Sequence, residues 1–528
     1  MDSATPQLST AQWINLDVPN ILGSSKKRGY SSGSSMDRRQ FITTFSAGNI
    51  GAAAALNAEN ANPAPASPDA PNILWICTDQ QRWDTIGALG NEHIRTPNMD
   101  KLCAEGVAFT HAHCQNPICT PSRASFLTGM YPRYLNACKN GTEDWANEAP
   151  LVTKTLAAAG YDCGLAGKFH LTAAHNRIEP RLDDGYRVFH WSHHPHDSWP
   201  EGHAYNDWLT AQGLEYGPLK KKSGGGIPVK YHQTTWCADR AIDFMREKRN
   251  GPWLFSYNCF DPHPPLDPPR EYLDRIDLDS LPLPDWTEED LQEEKSLAKA
   301  GVQFQSKATR RDAKKARSDL AKYWAMIELI DDQVGRMLKA LEDTGQRENT
   351  VVIFTSDHGH MIGDHGLTAK GCRFYEGLVR VPLIMSWPEK FPKGLRSDAL
   401  VELTDITPTL LELAGLPPSA EMHGRSLLRQ LMGESGSDEH REFVRCTYTE
   451  TLQGSPSWGT MIRDRRHKLC NYHGTGRGQL FDLQADPNEH RNLWQSAEHA
   501  DIKAQLLVKS FDAEAMSADA GSRRIGRY

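Results

Sequence analysis

Cys119 heads a segment that could carry a nucleophile. Pro121 and Ser122, which suit the first turn of a helix, come next and are followed by an apolar helical pattern. A thiolate at a helix N-terminus has a lowered pKa, because the helix dipole stabilises its negative charge. The spacing alone therefore predicts either a nucleophilic cysteine or a buried structural thiol.

Polar side chains follow three apolar runs that predict buried strands. The runs cover residues 72–77, 253–257 and 350–355. Continuous apolar runs of this length are typical of central strands in a parallel sheet, which is buried on both faces. Helical patterns lie between them, at residues 98–105, 151–159, 234–246 and 320–344. This alternation predicts an α/β domain with a mostly parallel sheet, whose ligands bind past the carboxyl ends of the strands.

Other segments differ in composition from this alternating pattern. The segment 265–318 is polar and heavily charged, so we interpret it as an insertion or lid whose charges face solvent. The lysine- and glycine-rich run 220–226 predicts an exposed loop. After residue 431 the chain predicts a small antiparallel sheet with a closing helix, from strand patterns at 443–449, 460–463, 468–472 and 480–483.

Composition and charge exclude several classes of protein. The chain has 528 residues and a net charge of −8, which gives no electrostatic reason to expect a nucleic-acid partner. Its 11 cysteines are odd in number and lack CxxC spacing, so neither a zinc ribbon nor a disulfide scaffold is expected. No apolar stretch reaches about 18 residues, and we therefore expect no transmembrane span.

The N-terminal region predicts an export signal. Residues 1–35 are expected to be a disordered or mis-annotated extension, because Met36 would serve as a translation start. Residues 36–70 contain paired arginines, a weakly apolar run and then small residues, which together resemble a twin-arginine signal and linker. A disordered basic tail is the alternative. The signal implies the twin-arginine export machinery as a partner and a periplasmic or secreted location.

The residues around Cys119 resemble a known signature. Cys119, Pro121, Ser122 and Arg123, followed by Leu-Thr-Gly at 127–129, are similar to the motif of the type I, formylglycine-dependent sulfatases. That family belongs to the alkaline-phosphatase-like superfamily. In it a maturation enzyme oxidises the cysteine to formylglycine, so the resemblance implies this modification of Cys119 and this enzyme as a partner.

The resemblance extends from about residue 71 to residue 494 and implies a fold. The superfamily has a large mixed, mostly parallel sheet sandwiched by helices, with a small C-terminal antiparallel-sheet subdomain. We accordingly place the catalytic sulfatase domain at 71–431 and the C-terminal subdomain at 432–528.

Formylglycine would solve a chemical difficulty in sulfate ester hydrolysis. A serine could attack sulfur, but water would then have to reach the same centre to release the sulfate. The hydrated aldehyde has two hydroxyls: one attacks sulfur, and the second loses its proton and expels sulfate as the carbonyl re-forms.

The family also binds one divalent cation, and its ligand positions match Asp79, Gln80, Asp357 and His358. Three oxygen ligands and one imidazole suit a hard cation, with Ca²⁺ the first candidate and Mg²⁺ the next. Many arylsulfatases have Asp at the position of Gln80 and Asn at the position of His358. The residues found here resemble other branches, including some phosphonate and phosphodiester hydrolases, and they add Mn²⁺ to the candidates. The alternative to a metal site is that each Asp only caps the helix that follows its strand.

Three further motifs match the family in order. The run 167–170 resembles Gly-Lys-Trp-His, the run 261–265 resembles Pro-His-x-Pro, and the run 363–370 resembles the one that ends in the active-site lysine. The match implies catalytic roles for Lys168, His170, His263 and Lys370, beside Cys119 and Arg123.

The charges of these side chains suggest their roles. Arg123 would hold the diol and the carboxylates. Lys168 and Lys370 would neutralise the sulfate oxygens. His263, with Lys370, would protonate the departing alcohol, and His170 would act as the base that releases sulfate.

Five histidines lie close together in the sequence, at positions 190, 193, 194, 196 and 203. A zinc site lacks supporting cysteine or carboxylate spacing. The remaining interpretations are a pocket rim that touches a sugar and an ordinary surface.

The resemblance therefore implies a sulfuric ester hydrolase that releases inorganic sulfate from a sulfated small molecule or glycan. Family breadth and export favour carbohydrate, and hence sulfated polysaccharide degradation. The alternative is a phosphonate monoester or phosphodiester hydrolase with the same formylglycine and metal site. An inactive binding protein would have lost some of these groups, and none is missing here.

Overall fold

The computed structural model describes residues 65–145, 149–434, 436, 438–452 and 455–518. The predicted extension at 1–35 and residues 36–64 of the predicted signal lie outside this part of the chain. No helix in the described ranges is long and apolar enough to cross a membrane.

The strands follow in chain order as β1 (Asn72–Thr78), β2 (Val107–His113), β3 (Asp162–Gly167), β4 (Val188–Trp191), β5 (Trp253–Asn258), β6 (Thr350–Ser356), β7 (Arg380–Ser386), β8 (Leu395–Glu402), β9 (Val444–Leu452), β10 (Ser455–Arg463), β11 (His467–Tyr472) and β12 (Arg477–Asp482). The α-helices are α1 (Pro97–Ala104), α2 (Cys119–Thr128), α3 (Val152–Ala158), α4 (Ala204–Ala211), α5 (Tyr216–Lys222), α6 (Gln233–Arg246), α7 (Arg270–Leu273), α8 (Glu288–Lys299), α9 (Ala313–Asp343), α10 (Glu376–Val379), α11 (Ile406–Leu413), α12 (Leu428–Leu431) and α13 (Ala500–Met516).

The first eight strands form one sheet in the order β4-β3-β5-β1-β6-β7-β2-β8. Neighbouring strands run parallel except at β7, which is antiparallel to both β6 and β2. The predicted mixed, mostly parallel sheet is therefore confirmed.

Helices cover both faces of this sheet because its central strands are apolar on both sides. On β1, Ile73 and Trp75 face one hydrophobic core, whereas Leu74 and Ile76 face another. Helices α2, α3 and α11 contribute to the first core, and α1, α6 and α9 contribute to the second. Burial of a Leu or Ile side chain contributes roughly 1.5–3 kcal/mol, so this double burial fixes the central strands firmly.

The C-terminal strands form a separate antiparallel sheet in the order β12-β11-β10-β9. Helix α13 packs on it through Leu506, which is buried with Ile462, Leu469 and Leu480. The small antiparallel sheet with a closing helix is as predicted.

One local prediction was wrong and another holds with exceptions. The run 220–226 was expected to be an exposed loop, but its first three residues belong to α5, which Tyr216 and Leu219 anchor by burial. Most charges of 265–318 face solvent as predicted, but Glu294 of α8 is buried in an ion pair with Arg373 at 2.8 Å. A pairing partner 79 positions away is invisible to a local charge pattern.

Candidate active site

Four adjacent parallel strands end at the same edge of the main sheet and supply the polar side chains of the site. Their order is β3-β5-β1-β6. Thr78 pairs with Ser356 at the last position of β1 and β6. Asp79 and Asp357 therefore leave the sheet side by side.

Lys168 leaves β3 through a tight approach to β5. The Lys168 N–H donates to the Asn258 carbonyl oxygen at 2.8 Å. The preceding residue must be glycine, because Gly167 has a φ of 111° and an added Cβ would lie 1.9 Å from that same oxygen. The strand end thus directs Lys168 into the site.

Cys119 is the first residue of α2, as the sequence predicts, and the helix is buried along its whole length. Its Sγ lies 3.0 Å from Lys370 Nζ, 3.2 Å from His358 Nε2 and 3.7 Å from Asp79 Oδ1. Burial and Asp79 oppose ionisation of the thiol. Lys168, Lys370 and His358 outweigh them and hold the pKa of Cys119 well below its ordinary value.

Each carboxylate of the site has one oxygen occupied by a buried cation. Lys168 Nζ contacts Asp79 Oδ2, and Arg123 Nε donates to Asp357 Oδ2 at 2.9 Å. Burial alone would raise the pKa of Asp79, but Lys168 and then His263 hold it well below the usual range. The two Oδ1 atoms face His358 Nε2, at 3.9 Å from Asp79 and 3.7 Å from Asp357, and Asp357 Oδ1 also accepts the backbone N–H groups of Gln80 and His358.

The tautomer of His358 follows from its backbone neighbour. Nδ1 lies 2.8 Å from the Gly359 carbonyl oxygen, which can only accept a hydrogen bond. Nδ1 therefore carries a proton, and Nε2 faces Cys119 and the two carboxylates. A backbone carbonyl that fixes a ring in this way is typical of metal-ligating histidines.

These residues fit a divalent cation. Ligand atoms of Asp79, Cys119, Asp357 and His358 lie within 4.8 Å of one another, and all four side chains are buried. The amide oxygen Oε1 of Gln80 is also buried and has no hydrogen-bond partner among the described residues. A buried acceptor without a donor costs about 1–3 kcal/mol, which a cation would offset. Two carboxylates, one amide oxygen and one imidazole suit a hard divalent ion.

His170 lies near Lys168 and Asp79, whose charges act on its pKa. No local pattern in the sequence indicates which residue holds it. It has a left-handed backbone with a φ of 60°. Glu179 fixes this turn, because its carboxylate accepts the backbone N–H groups of His170, Leu171 and Thr172 and the Trp191 indole N–H. His170 Nδ1 is buried without a partner in the described part of the chain.

Phe260 connects the remaining histidines to the site. Lys168 Nζ lies 5.3 Å from the centre of its ring, and the rings of His263 and His193 lie 4.6 and 5.4 Å away. His263 Nδ1 is 2.7 Å from the Pro264 carbonyl oxygen, so Nδ1 carries the proton and Nε2 is left for other partners.

His193 is a member of the site that the sequence did not single out from its neighbours. Its ring packs on His170 with the centres 4.6 Å apart. His203 Nε2 accepts the His193 N–H at 2.9 Å, and Gln233 donates to its carbonyl at 2.8 Å. Its Nε2 is buried and makes no hydrogen bond to any described residue.

The other clustered histidines contribute differently. His194 and His196 pack around Trp199, whereas His190 of β4 packs against Trp236 of α6. Neither of the two metal-capable clusters found in the described residues contains any of the five. Of these five histidines, only His193 therefore packs against a predicted site residue, His170.

Family models match most of the chain. The model described as Sulfatase matches residues 71–416, and the model for the C-terminal part of N-sulphoglucosamine sulphohydrolase matches residues 363–515.

Known proteins agree with these matches. An arylsulfatase of Clostridium perfringens is 32% identical over 493 residues, which cover 87% of this chain and 98% of that protein. An N-acetylglucosamine-6-O-sulfatase of Bacteroides thetaiotaomicron is 26% identical, covering 85% and 87%. The solved phosphonate monoester hydrolase of Agrobacterium radiobacter superposes with a TM-score of 0.70 at 26% identity, covering 85% and 96%. The chain therefore belongs to the sulfatase family of the alkaline-phosphatase-like superfamily, and it is a sulfatase enzyme.

Proposed function

We propose that this enzyme hydrolyses sulfate esters of carbohydrates, through a formylglycine made from Cys119 and with one divalent cation, Ca²⁺ first and Mg²⁺ or Mn²⁺ as alternatives. The observation that carries the proposal is the position of Cys119. Its Sγ lies at the N-terminus of α2 among Lys370, His358 and Asp79. A nucleophile at that point would meet a sulfate group between two lysines.

Formylglycine would supply the nucleophile and its release route: one hydroxyl of the hydrated aldehyde attacks sulfur, and the other expels sulfate as the carbonyl re-forms. Asp79, Gln80, Asp357 and His358 would hold the cation, which supplies positive charge next to that hydroxyl and the sulfate oxygens.

The chain's own cations would stabilise the charge that develops on sulfate. Lys168 and Lys370 flank the position of Cys119, and both are buried. Burial disfavours a charged Lys168, but Asp79 opposes this effect and raises the pKa of Lys168 above its ordinary value. In a site this dry, fixed charges act more strongly than in water.

Two histidines would move the protons. Burial, and then Lys168, hold the pKa of His170 well below its ordinary value, so a neutral ring is available to take the proton of the second hydroxyl. Burial and Lys370 likewise lower the pKa of His263. A bound sulfate ester adds negative charge, which raises the proton affinity of His263 and favours proton donation to the departing alcohol oxygen.

Carbohydrate as substrate has support from relatives and from the site wall. A relative with 26% identity is named N-acetylglucosamine-6-O-sulfatase. Trp199 and His194 stand beside His193 and Phe260, and aromatic and imidazole rings suit the mixed apolar and polar faces of a sugar. We extend the proposal to export by the twin-arginine machinery, to maturation by a separate enzyme and to a domain division near residue 431.

A phosphonate monoester or phosphodiester hydrolase is the second candidate. Gln80 and His358 favour it, as does the fold similarity to a phosphonate monoester hydrolase at 26% identity. Phosphoryl and sulfuryl groups place similar negative charge between the lysines, so the same residues would serve.

The mass of one tryptic peptide tests the formylglycine. Residues 102–123 form a single tryptic peptide that contains Cys103, Cys114 and Cys119. After alkylation, an unmodified peptide carries three alkyl groups. A matured peptide carries two, and the unalkylated residue has lost about 18 Da, as conversion of the thiol to an aldehyde requires. Cys103 and Cys114 are thus internal controls, and three alkylated cysteines in protein from the native host would refute the proposed nucleophile.

Paired assays test the substrate class. The kcat/KM is measured for sulfated glucosamine, for an aryl sulfate and for a phenyl phosphonate monoester. The values for the two sulfate esters should exceed the value for the phosphonate by at least about tenfold, or ~1.4 kcal/mol. The reverse ranking would favour the second candidate. No release from any ester by the matured protein would overturn both.

A further inference from the structure

A second cluster of metal-binding side chains lies outside the candidate active site. Asp290, His365 and His490 each offer one ligand atom, and these atoms all lie within 4.8 Å of one another. The first two side chains are buried and the third is partly buried. They come from helix α8, from the loop that leads to Lys370 and from the segment after β12. We propose that these three side chains bind a zinc ion.

The three side chains lie close enough together to share one ion. Zinc binds nitrogen and carboxylate oxygen at about 2.0–2.2 Å, so adjacent ligand atoms lie roughly 3.3 Å apart. Asp290 Oδ1 is 3.3 Å from His365 Nδ1, which matches this separation, whereas Asp290 Oδ2 and His490 Nδ1 form a hydrogen bond of 2.8 Å that the ion would replace. Two imidazoles and one carboxylate are a ligand set that zinc accepts, with a water as the fourth ligand.

An unsatisfied atom points to a ligand at this cluster. His365 Nδ1 is buried and makes no hydrogen bond within the described ranges, although Asp290 Oδ1 is close by. The ring is held in place because it stacks on Tyr375, with the centres 3.8 Å apart and the planes 11° apart. A fixed imidazole whose buried nitrogen has no hydrogen-bond partner among the described residues is suited to bind a metal ion.

The surroundings have the other features of a zinc site. His490 Nε2 lies 3.0 Å from Asp285 Oδ2, so the ring can donate to this carboxylate while Nδ1 binds the ion. Such carboxylate–histidine pairs orient metal ligands and raise their basicity. The Asp290 carboxylate also accepts the Thr287 N–H at 2.7 Å, which fixes it at the start of α8. A cavity of about 230 Å³ lined by Asp285, His365 and Tyr375 gives an ion access from solvent.

Zinc at this place would have a structural role. It would join the insertion that contains α8 to the loop 363–370 and to the segment after β12, three parts of the chain that are distant in sequence. Lys370 lies at the end of that loop, so the ion would restrict the position of a group beside Cys119 without touching substrate.

Zinc counting tests the proposal separately from catalysis. Zinc is added to metal-free Asp357→Asn protein, in which the active-site cluster has lost a carboxylate, and bound zinc is counted after gel filtration. We expect about one equivalent per chain to remain, to raise the thermal unfolding temperature and to disappear with an added His490→Gln. Adding His93→Gln instead, at an exposed histidine outside the cluster, should leave the amount of retained zinc unchanged.

Cobalt absorption gives a second measurement that needs no change in the cluster. Co²⁺ in the Asp357→Asn protein should show the strong visible bands of a tetrahedral site, and one equivalent of zinc should remove them. Absence of retained zinc and of these bands would overturn the proposal, as would zinc that persists in the double variant or is lost with His93→Gln. Sulfate release by the wild-type protein is measured independently, so failure here leaves the proposed function untouched.

Discussion

Arg123 Nε donates to Asp357 Oδ2 at 2.9 Å, and both side chains are almost fully buried. A second nitrogen of the same guanidinium, Nη1, donates to the Lys168 carbonyl oxygen at 2.9 Å. One planar group therefore fixes a carboxylate of the cation cluster and the backbone of an active-site lysine together. This guanidinium therefore links the ends of β6 and β3 at the site.

Arg123→Lys should fail although it keeps the charge. A lysine ammonium has no planar fork, so it cannot serve both acceptors in this geometry. We expect kcat to fall by about 10²–10³ and the free energy of unfolding to fall by about 1–3 kcal/mol, from the loss of a buried, charge-assisted hydrogen bond. Steady-state kinetics and urea unfolding measure the two effects. Arg465→Lys, at an exposed position, is the matched control, and equal kinetics for both variants would contradict the assigned role.

Cys119→Ser should stop turnover after the first half-reaction. A serine ester has no second hydroxyl with which to expel sulfate, so the protein should retain the group. We expect release of about one equivalent of alcohol per chain and a mass gain of about 80 Da, read by intact-mass spectrometry. Cys138→Ser, which leaves Cys119 in place, should turn over normally. Sustained turnover by the Cys119→Ser protein would refute the diol route.

Chelation should remove activity and stability together. An ion that binds only the folded state stabilises it, by about 2.7 kcal/mol at a concentration of 100 Kd. We expect EDTA to abolish sulfate release and lower the unfolding temperature, and added Ca²⁺ to restore both. Gln80→Met, which removes a buried amide oxygen that no described residue hydrogen-bonds, should shift this restoration to higher Ca²⁺ concentrations. An identical Ca²⁺ dependence in the variant would exclude Gln80 as a ligand.

His193→Ala should impair catalysis because this ring packs on His170 and its buried Nε2 has no hydrogen-bond partner in the described part of the chain. Loss of one substrate hydrogen bond should lower kcat/KM by about 10–100-fold, or roughly 1.4–2.7 kcal/mol. His193→Gln, which keeps a polar group there, should recover part of the loss. His190→Ala is the control, since that ring packs against Trp236 instead. Unchanged kcat/KM in His193→Ala would show that this ring only fills space.

Asp482→Asn should weaken the C-terminal sheet in a pH-dependent way. Hydrogen bonds from Arg466, at 3.0 and 2.7 Å, lower the pKa of this carboxyl to about 2. A depressed folded pKa contributes stability above the ordinary value of about 3.9, and that contribution is lost as the pH falls through about 2.

The free energy of unfolding should be lower by about 1–2 kcal/mol in Asp482→Asn at pH 7, and this deficit should shrink between pH 4 and about 2. Urea unfolding across this range measures it. Asp512→Asn on the exposed face of α13 should show no such trend. A deficit that does not change with pH would mean that the charge of Asp482 is not responsible.

The sequence identified the site residues that directly follow strands more reliably than the residues that hold the site and its surroundings in place. Asp79 and Asp357 follow predicted apolar runs, and parallel strands bring such ends together without further information. Lys168 follows β3, which was not predicted, and was identified only from its motif. Glu179 escaped notice because its role lies in N–H groups that become available only when the turn at His170 forms. The ion pair of Glu294 with Arg373 escaped because charges in a polar segment look alike until the partner is known.

The type of the main sheet was predicted correctly, but not all of its strands were predicted. Runs at β1, β5 and β6 are continuous and apolar, and these strands lie at the centre of the sheet. Strands β4 and β8 lie at its edges, where only part of each strand is buried, and their patterns are weak. The reversal of β7 depends on the path of its connections, which hydrophobic periodicity does not encode.

The burial of Cys119 sets an order of events in the life of the chain. Only 1% of this residue is exposed, and its backbone is already part of α2. A second enzyme could not draw such a residue into its own active site without dismantling the helix and the sheet edge beneath it. Under the proposed maturation, oxidation of Cys119 would have to come first, while the segment is still extended, and folding would then bury the product. A chain that folds too quickly would be well formed, stable and permanently inactive.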